Sequence, residues 1–541
     1  MVGQPDSEAK RHSGGGEALS GLQIARAAGL VMGAAVLSRV LGLAREAIIA
    51  SQFGAGNEYG AYVAALRLPD TLFFVVAGGA LGSAFIPTFT SYLATDKARQ
   101  AWRLASAVIN LITLLLTLLA GLAALFARPI AAALLVPGFP PELQLLTARL
   151  MRVMLLSPII FGVSGLAMGI LNAHQHFLLP ALAPSLYNVG IILGALLLAP
   201  GLGIYGLAWG VVLGAALHLL VQAPGLWRIQ ARYSLALDIA HPGVREVARL
   251  MGPRVLGLAV VQVNFWVNIA LASGMAEGSM AALQRGWYVM LLPQGVIAQS
   301  AAIAVFPTFA AQAARQETDA LRRTLSGVLR TVLLLTLPAT VGLIILRLPV
   351  VRLLFERGAF TLQDSRAAAW ALLFYALGLL AHSLVEIVTR AFYALHDTLT
   401  PVIVGGGAMA LNVILSLLLI RVIGSPDALE RGAFGGLALA NTLATTLEGL
   451  GLMALISPRV GGLDTRRLLN GLLRAGLASA GMGLALWAAR PLIERLGLWI
   501  GTLGGITAAA GVFWGLAWLL RSEEAHLFTE AVRRRLRGVR A

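Results

Sequence analysis

Ser38-Arg39-Val40-Leu41-Gly42-Leu43-Ala44-Arg45-Glu46 lies inside an otherwise apolar run from about residue 24 to 53. Such a run is long enough to cross a bilayer, which takes about 20 residues. Two arginines and a glutamate near its middle are expensive, by roughly 2.5–3.5 kcal/mol each even on the lenient insertion scale. Charges at that depth face a polar cavity or a partner helix, unless they snorkel back to the headgroups. Arg39 is about twelve residues in from the basic end, roughly 18 Å at 1.5 Å per residue, which weighs against snorkelling. On an ideal helix Arg39 and Glu46 share a face and Arg45 points about 120° away. Gly42 lies between the arginines as a candidate hinge, where a bend would bring both guanidinium groups into one cavity. The stretch reads as a cationic site on a hinged helix. An anion fits it, above all a phosphate, which guanidinium grips bidentately.

The remainder of the composition agrees with a membrane setting. The chain has 541 residues, 58% hydrophobic and only 12% charged, with mean hydropathy +0.81. This predicts an all-α polytopic membrane protein, because helices satisfy their own backbone in lipid. The net charge of +16 is in this class a topology signal, and no nucleic-acid partner is inferred from it. The absence of cysteine excludes disulfides, zinc-thiolate sites and thiol catalysis. Residues 1–23 read as a polar, disordered cytoplasmic tail and not as a cleavable signal peptide.

Apolar runs long enough to span fall at about 24–53, 59–92, 104–127, 147–172, 178–200, 202–227, 247–275, 279–312, 327–346, 368–393, 398–420, 433–456, 468–488 and 497–520. That predicts about fourteen transmembrane helices. Basic connections alternate along the chain: Lys97-Arg99-Arg103, Arg228-Arg232-Arg245-Arg249, Arg315-Arg322-Arg323 and Arg459-Arg466-Arg467. Both tails are also basic, so the positive-inside rule places both termini in the cytoplasm. An internal repeat is visible. Arg39 to Ala44 recurs identically as Arg254 to Ala259, Phe85-Ile86-Pro87-Thr88-Phe89 recurs as Val305-Phe306-Pro307-Thr308-Phe309, and Ala173 to Pro180 is matched by Ala394 to Pro401. The offsets of 215, 220 and 221 residues predict two parallel six-helix lobes, 24–228 and 245–456, with a site between them. Segment 466–521 supplies two further helices, and 522–541 a basic cytoplasmic tail.

Other polar residues in the spans are candidates with ordinary alternatives. Arg67, beside Leu68-Pro69, either faces the cavity of Arg39 or snorkels from a helix end. Arg285 and Gln284 are candidates to line the cavity from the second lobe. Gly78 to Ala84 offers a small-residue packing face. His174 and His176 read as interfacial, and Glu386 pairs with Arg390 four residues on. Glu448 is either a proton or cation site or a hydrogen-bonded structural residue. No phosphate-binding P-loop occurs, so ATP does not drive the chain directly and no cofactor or metal is called for.

Ser38 to Glu46, followed by Phe53-Gly54-Ala55-Gly56, resembles the first-helix signature of the MurJ/MviN lipid II flippases. Leu68-Pro69 to Phe85-Ile86-Pro87 continues the likeness. Phe355-Glu356-Arg357-Gly358-Ala359-Phe360, Arg390-Ala391-Phe392-Tyr393-Ala394 and Asp397-Thr398-Leu399-Thr400-Pro401-Val402 resemble the family's second-half motifs. The resemblance implies the multidrug/oligosaccharidyl-lipid/polysaccharide exporter fold. It implies a flippase and not an enzyme, in the bacterial inner membrane, moving undecaprenyl-diphosphate-linked peptidoglycan precursor by alternating access. Membrane lipids and cell-wall synthesis proteins are the implied partners. The last two helices would frame a groove for the lipid tail, with apolar faces turned toward the first lobe. The implied substrate-binding residues are Arg39, Arg45 and Glu46, with Arg67 and Arg285 as stand-ins, since two arginines usual in the family fall here on Phe73 and Tyr288. Two readings compete. One is a flippase for another polyprenyl-diphosphate glycan; the other is a non-transporting scaffold for cell-wall assembly.

Overall fold

Long apolar runs broken by glycine and proline leave a chain one way to satisfy its backbone in lipid, which is to form helices. The computed structural model describes residues 21–74 and 84–526, and these form helices and turns with one isolated bridge, Ser425 to Gly432. Residues 1–20, most of the Gly78 to Ala84 face and the C-terminal arginines from Arg533 lie outside the described residues, as does the side chain of Arg254. The first helix already begins at Gly21, inside the tail expected to be disordered.

In the first part of the chain the helices are α1 (Gly21–Phe53), α2 (Asn57–Phe73), α3 (Ile86–Ala94), α4 (Ala98–Leu125), α5 (Ala127–Ile130), α6 (Pro141–Met154), α7 (Leu156–Ala173), α8 (Leu178–Leu193), α9 (Ala199–Leu202), α10 (Tyr205–Leu220) and α11 (Ala223–Arg228). The second part continues with α12 (Pro242–Ser273), α13 (Ser279–Gln294), α14 (Ser300–Ala314), α15 (Thr318–Phe355), α16 (Leu362–Leu377), α17 (Leu379–Ala394), α18 (Leu399–Leu419) and α19 (Phe434–Arg459), and ends with α20 (Thr465–Arg495) and α21 (Leu498–Leu519). Among the described residues ten helical segments are long and apolar enough to cross a membrane, or eleven if α16 and α17, bent by 46° at Gly378, form one span. These match eleven of the fourteen expected runs. The other three fall on α1, on α2 with α3, and on α12, and are not among those eleven.

Small residues set the closest packing. Gly190 of α8 and Gly194 just after it meet Gly206, Gly210 and Gly214 of α10, and a Cβ on Gly190 would stand 2.3 Å from the Gly214 Cα. With no hydrophobic drive between helices in lipid, such backbone contact is what holds this pair. The uncharged stretch 177–227 therefore folds as expected, turning at Gly203 with φ +57°.

The two parts of the chain share local geometry. Non-glycine residues with positive φ close equivalent helices: Asp96 (58°) and Gln316 (57°), 220 residues apart, and Gln175 (61°) and His396 (59°), 221 apart. One buried cluster joins Phe85, Phe89, Leu104 and Leu166, and another joins Phe309, Leu325, Ile387 and Phe392. A third, including Ile49, Tyr59, Val351, Phe355 and Phe360, reaches across both parts.

Asp397 fastens the start of α18. Its carboxylate accepts from the amides of Leu399 (3.1 Å) and Thr400 (2.9 Å), from the Thr400 hydroxyl (2.6 Å) and from Arg459. The Thr400 hydroxyl and amide, and then Arg459, hold this carboxyl well below its ordinary range. As pH falls the unfolded chain takes up the proton first, so the contribution is complete at neutral pH and drains away below about pH 4. Asp397→Asn keeps an oxygen for the two amides but loses the charge that meets Arg459 and the Thr400 hydroxyl, and is expected to cost about 0.5–1 kcal/mol. The measurement is thermal unfolding in detergent at pH 7 and pH 3, where the gap between the two proteins should narrow at the lower pH.

Candidate functional site

The arginines of the opening stretch need acceptors within the membrane, and they find them on α13 and its extension. α1 runs unbroken through Gly42, so no hinge is open in this conformation. On an unbent helix Arg39 and Arg45 must point to different neighbours. Arg39 is exposed, and its Nη2 donates to Gln299 Oε1 at 2.6 Å. Its guanidinium lies against Gly295, where a Cβ would stand 2.7 Å from Nη1. Gly295 and Gln299 bound a π-helical turn between α13 and α14, a local widening frequent at functional sites.

Arg45 is the centre of a denser network. It donates to Asn188 Oδ1 (3.0 Å), Glu46 Oε1 (2.7 Å) and the Tyr288 hydroxyl (2.7 Å). Asn188 in turn donates to the carbonyls of Ser38 (3.1 Å) and Pro184 (3.2 Å), and the Tyr59 hydroxyl donates to Glu46 Oε2 at 3.2 Å. Helices α1, α2, α8 and α13 therefore converge on one guanidinium. Glu46 is buried and pairs with its chain neighbour. A charge desolvated to that degree is tolerable only when paired.

Arg67 of α2 donates to Gln284 Oε1 at 2.8 Å and lies 5.5 Å from the centre of the Phe265 ring. It lines a cavity of about 290 Å³ with Asn264, Asn268, Gln284, Asn412 and Glu448. A common cavity for Arg39 and Arg45, with Arg67 or Arg285 in reach, is not seen among the described residues in this conformation. Arg39, Arg45 and Arg285 do not line the cavity of Arg67.

Arg285 is fully enclosed, with 0% exposure. Its guanidinium is sandwiched between Tyr59 (4.5 Å) and Phe360 (4.4 Å) and donates to the Gly54 carbonyl at 2.7 Å. Around it the segments after α1 and α15 are pinned backbone to backbone. Ala359 N donates to Ser51 O at 2.8 Å, and Gly358, at φ +57°, lies where a Cβ would be 2.2 Å from that same oxygen. Only glycine fits there. Arg285 thus seals the end of the protein away from the basic connections.

Asn188, Tyr59 and Gln299 were not singled out in the sequence, nor were Asn264, Asn268 and Asn412. A lone Asn inside an uncharged span, as at Asn188, is the one signal that marks them. Glu386 and Arg390 pair at 3.1 Å as their spacing predicts. His174 Nδ1 donates to the Ile170 carbonyl (2.9 Å), and its ring stacks on Trp102. A second, apolar groove of about 350 Å³ lies among α13, α15, α20 and α21, lined by Leu335, Pro338, Gly342, Met482, Phe513 and Trp514 among others, with no charged residue in its wall. It faces α13 and α15, where the sequence reading had placed it toward the first lobe.

Known proteins similar to this chain identify its family and fold. A family model described as "Lipid II flippase MurJ" matches residues 49–500. A probable lipid II flippase MurJ of Bdellovibrio bacteriovorus is 30% identical over 510 residues, spanning 93% of this chain and 96% of its own. The lipid II flippase MurJ of Burkholderia cenocepacia is 29% identical over 528 residues, spanning 93% and 99%. A solved lipid II flippase MurJ in an inward closed conformation matches with TM-score 0.76 at 26% identity, over 91% of this chain and 99% of its own. An inward-facing multidrug resistance MATE family transporter of the MOP superfamily matches with TM-score 0.63 at 14% identity, over 78% and 94%, a likeness of fold alone.

The enclosed position of Arg285 makes it a closing element of this conformation. Arg285→Met and Arg285→Lys are both expected to lower unfolding stability by about 1.5–3 kcal/mol, the usual cost of a lost charge-assisted bond. Lysine keeps the charge but has no planar group to lie between two rings. Thermal stability in detergent measures this, and unchanged stability in both variants would remove the sealing role.

Proposed function

The chain belongs to the lipid II flippase MurJ family, and on that premise we propose how it carries its substrate. It is a multi-pass membrane transporter and not an enzyme. The substrate is the undecaprenyl-diphosphate-linked peptidoglycan precursor, taken from the inner to the outer leaflet of the bacterial plasma membrane, with both termini cytoplasmic. The two six-helix lobes, 24–228 and 245–456, alternate their opening. The lipid tail rides in the apolar groove beside α20 and α21.

The observation that carries this reading is the set of partners the arginines now hold. Arg39 is bonded to an amide, Arg45 to an amide, a phenol and one carboxylate, and Arg67 to an amide. Among the described residues the Nε donors of Arg45 and Arg67 are buried without a partner. A diphosphate offers charged oxygens in place of neutral ones. A bond to a charged group contributes about 1.5–3 kcal/mol net against about 0.5–1.5 kcal/mol for a neutral pair. Substrate binding therefore competes Gln299, Tyr288 and Gln284 away from the guanidinium groups. Those three residues belong to α13 and its extension, so the exchange loosens the contact between the halves. Tyr288 and Phe73 at positions where the family usually has arginine favour one second reading, a related polyprenyl-diphosphate glycan as cargo.

Complementation of a bacterium depleted of its own flippase tests the proposal. The wild-type gene should restore growth. Arg39→Ala and Arg45→Ala should each lower apparent affinity for the lipid-linked diphosphate by about ten- to a hundredfold, the equivalent of one charge-assisted bond. The double variant, still inserted and folded, should not support growth. Growth equal to wild type in that double variant would end the cationic-site mechanism, and a wild type that moves a different polyprenyl-diphosphate glycan but not lipid II would establish the second reading.

A further inference from the structure

The segment joining the two halves, between α11 and α12, has no regular secondary structure from residue 231 to 238. Along it large apolar side chains recur at every second position: Leu235 (85% exposed), Leu237 (53%) and Ile239 (64%) point outward, while Tyr233 (60%) turns its hydroxyl back to α4. The intervening Ala236 and Asp238 are half-buried. That alternation is the pattern of an extended chain with one face on a support.

The support is α4. Asn110 Nδ2 donates to the carbonyls of Ser234 (3.0 Å) and Ala236 (2.9 Å), and its Oδ1 accepts from the Tyr233 hydroxyl at 2.6 Å. Ser234 N donates to Ser106 Oγ at 3.1 Å, and Arg103 pairs with Asp238 at 2.9 Å. The carbonyls of Leu237 and Asp238 accept from Ile239 and His241. Ser106 and Asn110 meet only part of this backbone: the amides of Leu235, Ala236, Leu237 and Asp238 have no partner among the described residues, and unpaired backbone of this kind stays at the headgroup level, where water reaches it. Asn110 sits six residues into the apolar run that starts at Leu104, about 9 Å along α4 at 1.5 Å per residue. The anchoring explains why an otherwise uncharged span keeps an asparagine.

Charge surrounds the row on one side. Arg228, Arg232, Arg245 and Arg249 are exposed at its two ends. Where the segment begins, a groove of about 350 Å³ sets Arg228 beside Leu30, Leu178 and Leu179. An apolar floor under a cationic rim matches an anionic amphiphile.

We infer that residues 231–239 form a strap at the headgroup level that binds anionic phospholipid in the leaflet facing the basic connections. Leu235, Leu237 and Ile239 dip into the acyl region, and Arg228 and Arg232 take the headgroup phosphates. The connection between the halves is therefore held at a fixed depth in that leaflet, whichever lipid the central site carries.

The chain has no cysteine, so single-cysteine variants at 235, 236, 237, 238 and 239 accept a nitroxide label without background. They are reconstituted in nanodiscs of phosphatidylcholine with phosphatidylglycerol, and collision with oxygen is compared with collision with a water-soluble nickel chelate. Oxygen should dominate at 235, 237 and 239, and both collisions should drop at 236 and 238. Asn110→Leu, which keeps α4 helical and apolar, should erase the alternation, with an unchanged thermal midpoint showing that the bundle is intact. Removing phosphatidylglycerol should shift the labels at 235 and 237 toward water, and Arg228→Gln with Arg232→Gln should abolish that lipid dependence. Dominant nickel collision at 235, 237 and 239 would overturn the strap and mark the row as a surface for a soluble partner. Identical readings with and without phosphatidylglycerol would overturn the headgroup assignment.

Discussion

A guanidinium inside an apolar span must be met by acceptors, and in this protein four arginines meet that demand across one seam. Arg39 and Arg45 of α1 reach Gln299 and Tyr288, Arg67 of α2 reaches Gln284, and Arg285 of α13 reaches back to Gly54. Every one of these bonds joins the α1–α2 region to α13 and its π-helical extension. The cost of the charges is thereby converted into contact between residues more than two hundred positions apart.

The four bonds are not equivalent. Arg285 gives its one bond to a backbone carbonyl, between two rings and at zero exposure. Arg39 holds one side-chain amide at an exposed position. The end sealed by Arg285 is also where glycines let backbones touch, as Gly358 does against Ser51. Arg45 makes three side-chain bonds, whereas Arg285 keeps two buried donors without a partner among the described residues and Arg39 is the most open of the four.

Much of this architecture was legible in the sequence. Eleven of fourteen expected spans coincide with long apolar helices, and the turn at Gly203, the Glu386–Arg390 pair and the matched ends at Gln175 and His396 follow from local signals. Hydropathy, helix periodicity and left-handed turn residues act over a few positions, so they survive in a linear reading. The choice of Arg39 and Arg45 as the important cations was also readable, because their cost depends only on depth in the run. Their partners were not. Asn188, Gln299 and Tyr59 are ordinary residues in their own segments, and nothing nearby in sequence indicates which guanidinium each will face.

The sequence by itself determined that this chain crosses a membrane many times as helices, that it repeats, and that it carries cations where lipid does not tolerate them. Only the tertiary structure decided that those cations are spent on the seam between the halves and not gathered into a single cavity. The same holds for Gly42, which lies inside one continuous helix, and for the apolar groove, which opens onto α13 and α15. The physical reason is common to all three. Depth and period are properties of one helix, whereas the direction in which a side chain is satisfied depends on which other helix arrives beside it, and that is set by packing across the whole molecule.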